Sequence, residues 1–159
     1  MADINLTADY VISAMLADEG NGTLSNLKLQ KLLYYIEAWH LGILGTRFYN
    51  PHVNFKAWVH GPVDRTIYAR FAENKYLYSQ ITLNDRLITD PHLEKEDKEF
   101  VDYILENYGQ FSGMELEAMT HNETPWIEAR EGCAPFDACD NIISVDKMRT
   151  YYHQRYVQL

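Results

Sequence analysis

The sequence predicts a mainly α-helical protein: a single compact helical domain of about six or seven helices with one small β-strand or ribbon element. Apolar residues recur at helical spacing in several segments. Capping residues or proline mark the starts of most of these segments. No linker, internal repeat or low-complexity tract divides the 159 residues, so residues 1–159 are expected to form one domain.

The longest helical segment, residues 26–44, is expected to be the centre of the molecule. Ser25 is its predicted N-cap, and Gly45 marks its end. Its aromatic residues make it apolar around more than one face, so neighbouring elements should enclose it. A first helix is expected to begin after Thr7 as N-cap, and a tight polar loop at residues 18–22 should separate the two helices.

A strand is predicted over residues 53–59, where apolar and mostly polar residues alternate. The preceding connection, residues 46–51, is expected to begin a short ribbon with it. Gly61 then permits a backbone angle or a close approach that a Cβ atom would block, and Pro62 is placed as the first residue of a third helix.

The C-terminal half is predicted to contain four more helices. The first follows Pro91 and ends at Gly109, and the last covers residues 145–157. Residues 76–90 match neither the helical nor the strand period, so a short strand or an irregular segment is expected there. The two short helices between have the following start signals: a capping box at Ser112 and Glu115, and an N-cap with a following proline at Thr124 and Pro125.

The net charge of −9 argues against direct binding to nucleic acid. An acidic chain is repelled by phosphate backbones unless it gathers a basic patch, and the 14 Lys and Arg residues are scattered along the sequence. Acidity favours a basic partner through charge complementarity, although it also serves plain solubility. The 12 Tyr and three Trp residues are typical of a binding surface and equally of a helical core.

The sequence favours a cytoplasmic protein without a membrane partner. Its N-terminus has no basic region followed by an apolar one, and no apolar run reaches the length of a membrane span. Cys133 and Cys139 match no common zinc-binding spacing, and a lone pair does not make a disulfide framework. Both are therefore expected to be free thiols in a reducing compartment.

No constellation of residues points to catalysis. There is no phosphate-binding loop and no G-x-S-x-G elbow, and the segment HNETPW lacks the second His of a zinc-protease helix. The six His residues are scattered, so a metal site would require the fold to gather them. We expect a protein without catalytic residues, metal or cofactor, with a cryptic hydrolase as an alternative.

Two blocks of this sequence resemble the Panacea domain family, also called SocA-like antitoxins. The first is LQKLLYYIEAWHLGILG followed by FKAWVHGPVDRTIYARF, and the second is FSGMELEAMTHNETPWIEAR, which is similar to the family's TH-x-E-x-PW segment. Together the two blocks and the spacing between them cover most of the chain. One departure is His60, because the family usually has Tyr before the Gly-Pro pair.

The resemblance implies the antitoxin of a toxin–antitoxin pair, of a kind often found on phages and prophages. The expected partner is a cognate protein toxin, directed at translation or nucleotides and neutralised by direct contact. The alternative is a proteolytic adaptor that delivers its partner to an ATP-dependent protease. The candidate partner-binding anchors are aromatic: Tyr35, Trp39, Trp58, Tyr68 and Trp126. The motif residues to which we assign structural roles are Gly61, Pro62, His121 and Pro125.

Overall fold

The computed structural model describes residues 1–17 and 23–159. Over these residues it contains seven α-helices, one 3₁₀ turn and one antiparallel hairpin, which confirms the predicted mainly helical fold class. The loop predicted at residues 18–22 lies outside the described residues. The elements are α1 (Ile4–Met15), α2 (Asn26–Leu44), β1 (Phe55–Trp58), β2 (Gly61–Asp64), α3 (Arg65–Phe71), the 3₁₀ turn (Leu83–Asp85), α4 (Lys95–Tyr108), α5 (Gly113–His121), α6 (Thr124–Ala129) and α7 (Val145–Val157).

Helix α2 is the axis of the core, as predicted. It begins where the Ser25 hydroxyl accepts a hydrogen bond from the Lys28 N–H at 3.1 Å, and it ends at Gly45 in the left-handed conformation. Fifteen of its 19 residues are buried, because α1, α4, α5, α7 and the hairpin all pack against it. A helix enclosed in this way needs apolar residues on every face, which accounts for its composition.

A network of tyrosine hydroxyls around one buried carboxylate joins α2 to α7. Tyr35 and Tyr152 both donate hydrogen bonds to Oε1 of Glu123, at 2.8 and 2.7 Å. The Tyr34 and Tyr152 hydroxyls lie 3.3 Å apart. Burial raises the pKa of Glu123, and these hydrogen bonds partly oppose that shift. The Glu of the THNETPW segment is thus a structural hub of the core.

Two predicted helix starts are wrong by a few residues. In α1 the N-cap is Asp3, whose carboxylate accepts a hydrogen bond from the Leu6 N–H at 2.9 Å. Thr7 lies one turn inside the helix, where its buried hydroxyl donates to the Asp3 carbonyl at 2.9 Å. Thr124 is the first residue of α6 rather than its cap, because the chain is still extended at Glu123.

The strand element differs from its prediction in partner and in extent. β1 pairs with β2 in an antiparallel hairpin, with Trp58 opposite Gly61 and Phe55 opposite Asp64. Residues 46–51 do not pair with β1; Tyr49 in this connection forms a bridge with Ala2 instead. Pro62 is therefore a strand residue, and α3 starts three residues later.

Helix α3 starts late because α2 holds the preceding backbone extended. The Gln30 side chain donates to the Asp64 carbonyl at 3.1 Å and accepts from the Asp64 N–H at 2.9 Å, as a neighbouring strand would. The Asp64 carboxylate then caps α3 by accepting a hydrogen bond from the Ile67 N–H at 3.0 Å. Two polar side chains thus decide where the strand ends and the helix begins.

Candidate functional site

An open groove of about 820 Å³ lies beside the hairpin. Its walls come from the start of α2, the hairpin turn, α3, residues 75–77 and residues 138–140. Apolar and aromatic groups dominate the lining, and the Trp58 and Tyr68 rings meet edge to face at 4.8 Å between centroids. Tyr76 on the same rim is 85% exposed. The groove therefore presents aromatic surface to solvent.

The first sequence block supports this groove through contacts from α2 to β2. Lys31 is fully buried, and its ammonium group donates a hydrogen bond to the Pro62 carbonyl at 3.1 Å. Gly61 has a φ of 99°, and a Cβ atom there would collide with the Lys31 side chain and would lie 3.0 Å from the Thr120 hydroxyl. Glycine is required here for both reasons.

The second sequence block holds the hairpin from the other side. The Trp126 indole N–H donates to the Trp58 carbonyl at 3.0 Å, and the Arg130 guanidinium donates to the Ala57 carbonyl at 2.8 Å. The His121 ring stacks on Trp126 with 4.0 Å between centroids, and Pro125 is buried behind it. The two blocks therefore converge on one structural element, the hairpin that carries Trp58.

The hairpin turn contains His60, the residue at which this chain departs from the family pattern. His60 is exposed at this turn, and its Nδ1 lies 3.0 Å from the Glu117 carboxylate on α5. An imidazole can thus tie the turn to α5 through one polar contact.

Of the five aromatic residues that we predicted as partner contacts, two line the groove: Trp58 and Tyr68. Trp126 is partly buried and supports Trp58 from behind. Tyr35 and Trp39 are buried, and their polar atoms already bond to Glu123 and Tyr108. Tyr35 has no exposed surface because α4 and α7 cover its face of α2, whereas Trp39 is 8% exposed and lines a separate pocket beside α4 and α7.

The wall formed by residues 138–140 continues into a loop closed by a disulfide. Cys133 and Cys139 are bonded, with their Cα atoms 5.9 Å apart, so the expectation of free thiols is wrong. The chain turns back between them because the Arg130 guanidinium donates to the carbonyls of Ala134 and Asp137, each at 2.8 Å. A short separation in sequence therefore permits pairing, and the cysteines no longer argue for a reducing compartment.

Sequence reasoning missed the charged residues at the groove. Asp140 on the rim accepts a hydrogen bond from the Trp58 indole at 3.1 Å and lies near Lys56 and Arg65. These positions are far apart in the sequence, and no local pattern connects them. Lys31 carried a weak signal, since it is a cation inside a helix that is apolar on every face.

Burial lowers the pKa of Lys31 to about 7, and the Glu117 carboxylate partly opposes this shift. Between that value and the ordinary 10.5, the folded protein binds fewer protons than the unfolded chain. The contribution of Lys31 to the stability of the wild-type protein should therefore rise with pH across this interval, and fall as pH drops towards 7.

The variant Lys31→Met is expected to lack this contribution. The unfolding free energy of the wild type, minus that of the variant, should increase between about pH 7 and pH 10 by about 1 kcal/mol per pH unit. Urea unfolding at several pH values measures the difference, in which the tyrosines common to both proteins cancel. Parallel pH profiles would show that Lys31 is charged in the folded protein.

Two features are absent from the part of the chain that the structure describes: a metal-binding cluster and a membrane-spanning helix. No group of three or more His, Cys, Asp or Glu side chains there is gathered in a metal-binding arrangement. Within the same residues, none of the helices has the length and apolar character needed to cross a lipid bilayer.

The fold and the groove define a mainly helical protein with aromatic side chains gathered at one open groove, a kind of surface that suits contact with another protein. The chain belongs to the family described as antitoxin SocA-like, Panacea domain, whose sequence model matches residues 29–127. The match includes most of α2, the hairpin and α3, which contribute to the walls of the groove, and the TH-x-E-x-PW segment, which supports the hairpin.

Among curated proteins, the chain is similar to antitoxin SocA of Caulobacter vibrioides (strain NA1000 / CB15N). The two are 33% identical over 113 residues, which is 65% of this chain and 58% of the relative. The chain thus spans little more than half the length of that protein. No solved structure shows a significant match to the chain.

Proposed function

We propose that this protein is an antitoxin that neutralises a protein toxin by binding to it, with the groove beside the hairpin as the contact surface. Family membership and the similarity to antitoxin SocA support the class of function. The apolar and aromatic lining of the groove suits binding of another protein and requires no chemical step. A toxin that acts on translation or nucleotides would meet its antitoxin in the cytoplasm.

The observation that carries the choice of surface is the exposure of aromatic side chains around one groove. Tyr68 and Tyr76 are exposed on its rim, and Phe136 is exposed on the disulfide loop that forms one wall. Aromatic residues next to a concave apolar surface are the usual anchors of protein interfaces. The hairpin is held from α2 and from α6, so the Trp58 anchor is presented on a fixed support.

Co-expression with the product of the neighbouring gene tests the proposed class of function. The neighbour alone should stop growth, and this chain should restore growth and co-purify with it. The half-life of the neighbour, measured with and without this chain, distinguishes blocking of the toxin from its degradation. Only degradation shortens the half-life. Growth arrest without rescue or co-purification would contradict the proposal.

A matched pair of substitutions tests the surface. Tyr68 in the groove is 48% exposed and Tyr103 on α4, outside it, is 46% exposed. Tyr68→Ala is expected to weaken toxin binding by about 2 kcal/mol, or roughly 30-fold, because it removes an aromatic anchor that packs against Trp58. Tyr103→Ala should leave binding unchanged. Titration calorimetry on the purified partners measures both, and equal effects of the two variants would place the contact elsewhere.

A further inference from the structure

The groove differs in charge from the rest of this acidic molecule. Asp140 lines the groove and pairs with two cations that lie just outside the lining: the Arg65 guanidinium at 3.5 Å and the Lys56 ammonium at 3.9 Å. One carboxylate neutralises one of them, so this part of the rim keeps an excess positive charge. The Arg65 side chain is 65% exposed, so that charge is accessible from solvent.

The other charged groups at the groove do not cancel this excess. Lys75 pairs with Asp85 at 3.3 Å, and the Glu117 carboxylate lies against His60 of the hairpin turn, outside ion-pair distance of Lys56 and Arg65. The rim around Asp140 is therefore locally positive on a chain of net charge −9. The net charge of the whole chain would by itself predict contact with a basic surface of the partner.

We propose that the groove receives an apolar segment of the partner toxin that carries a carboxylate, which lies against Arg65 and Lys56. The proposal deepens the function proposed above and depends on it. The Trp58 and Tyr68 rings offer contact to apolar side chains, and the excess charge beside them offers a partner to one carboxylate.

Aromatic rings next to cations also occur in sites for single-stranded nucleic acid. Such sites follow the phosphate backbone with a row of cations, whereas the cations near the rings here, Lys56 and Arg65, share the Asp140 carboxylate. The remaining acidic surface would repel the strand. The observations therefore favour a polypeptide.

Charge reversal at Arg65 tests the inference, with the toxin from the co-purified complex as the probe. Arg65 is the first residue of α3, where a glutamate is favourable to the helix dipole, so the Arg65→Glu variant should fold. It is expected to weaken toxin binding by about 10-fold or more. The control is Lys95→Glu on α4, which makes the same change in net charge at an exposed residue outside the groove and should change binding less than about twofold.

A second experiment identifies the carboxylate of the toxin: each Asp or Glu of the toxin is changed to Lys in turn. One such variant should bind poorly to the wild type and regain binding to the Arg65→Glu variant. Equal effects of Arg65→Glu and Lys95→Glu, or rescue only by changes at toxin Lys or Arg residues, would overturn the inference. So would loss of the complex after nuclease treatment. Absence of any binding to the wild type would instead overturn the proposed antitoxin function.

Discussion

Replacement of Glu37 by alanine is expected to lower the free energy of unfolding by about 3–5 kcal/mol. The side chain is fully buried on α2, where one oxygen accepts two hydrogen bonds from Arg47 at 2.8 and 3.2 Å. The other accepts from the Phe48 N–H at 2.7 Å. Its removal leaves a largely buried guanidinium without a counter-charge and a buried N–H without an acceptor, and both are costly.

Urea denaturation followed by circular dichroism measures this loss. Asp146→Ala is the matched control, because it breaks an ion pair of 2.6 Å with Arg149 in which the Asp146 side chain is 90% exposed. Exposed pairs contribute little after solvent screening, so the control should lose several times less. Similar losses in the two variants would mean that Glu37 is hydrated in solution.

Gly42→Ala is expected to be the most damaging conservative substitution in the core. A Cβ atom at this position would lie 2.5 Å from the Cβ and 2.6 Å from the backbone carbonyl carbon of Tyr152. Backbone cannot move aside as a side chain can, so α2 and α7 must separate. Helix propensity alone would make alanine favourable by about 1 kcal/mol, and the sign of the result therefore decides between the two effects. We expect a net destabilisation of about 2 kcal/mol or more.

Thermal unfolding of Gly42→Ala measures this prediction, with a fall in Tm of roughly 4–8 °C expected for a chain of this size. Gly132→Ala is the control, since a Cβ atom there would meet nothing within 4 Å and only its positive φ is unfavourable. The control should cost about 1 kcal/mol. An unchanged or raised Tm for Gly42→Ala would show that the two helices are not in this close contact.

Local sequence signals predicted the elements whose ends are set by neighbouring residues. α2 and α7 have the predicted bounds because Ser25 and Ser144 cap them with their own side chains. The capping box of Ser112 and Glu115 forms with both of its hydrogen bonds. These interactions span three residues, so they can be read from sequence without knowledge of the fold.

The tertiary structure alone decided the features that depend on distant residues. Pro62 lies in a strand because Gln30, 34 positions before Asp64, bonds to the backbone there. Tyr35 and Trp39 are buried because α4 and α7 cover them, although their residue types suit an interface equally well. The rim of the groove has two cations around one carboxylate because Lys56, Arg65 and Asp140 meet only in the folded chain. Spacing along the sequence fixes which residues share a helix face, but only packing determines which faces are covered and which charges become neighbours.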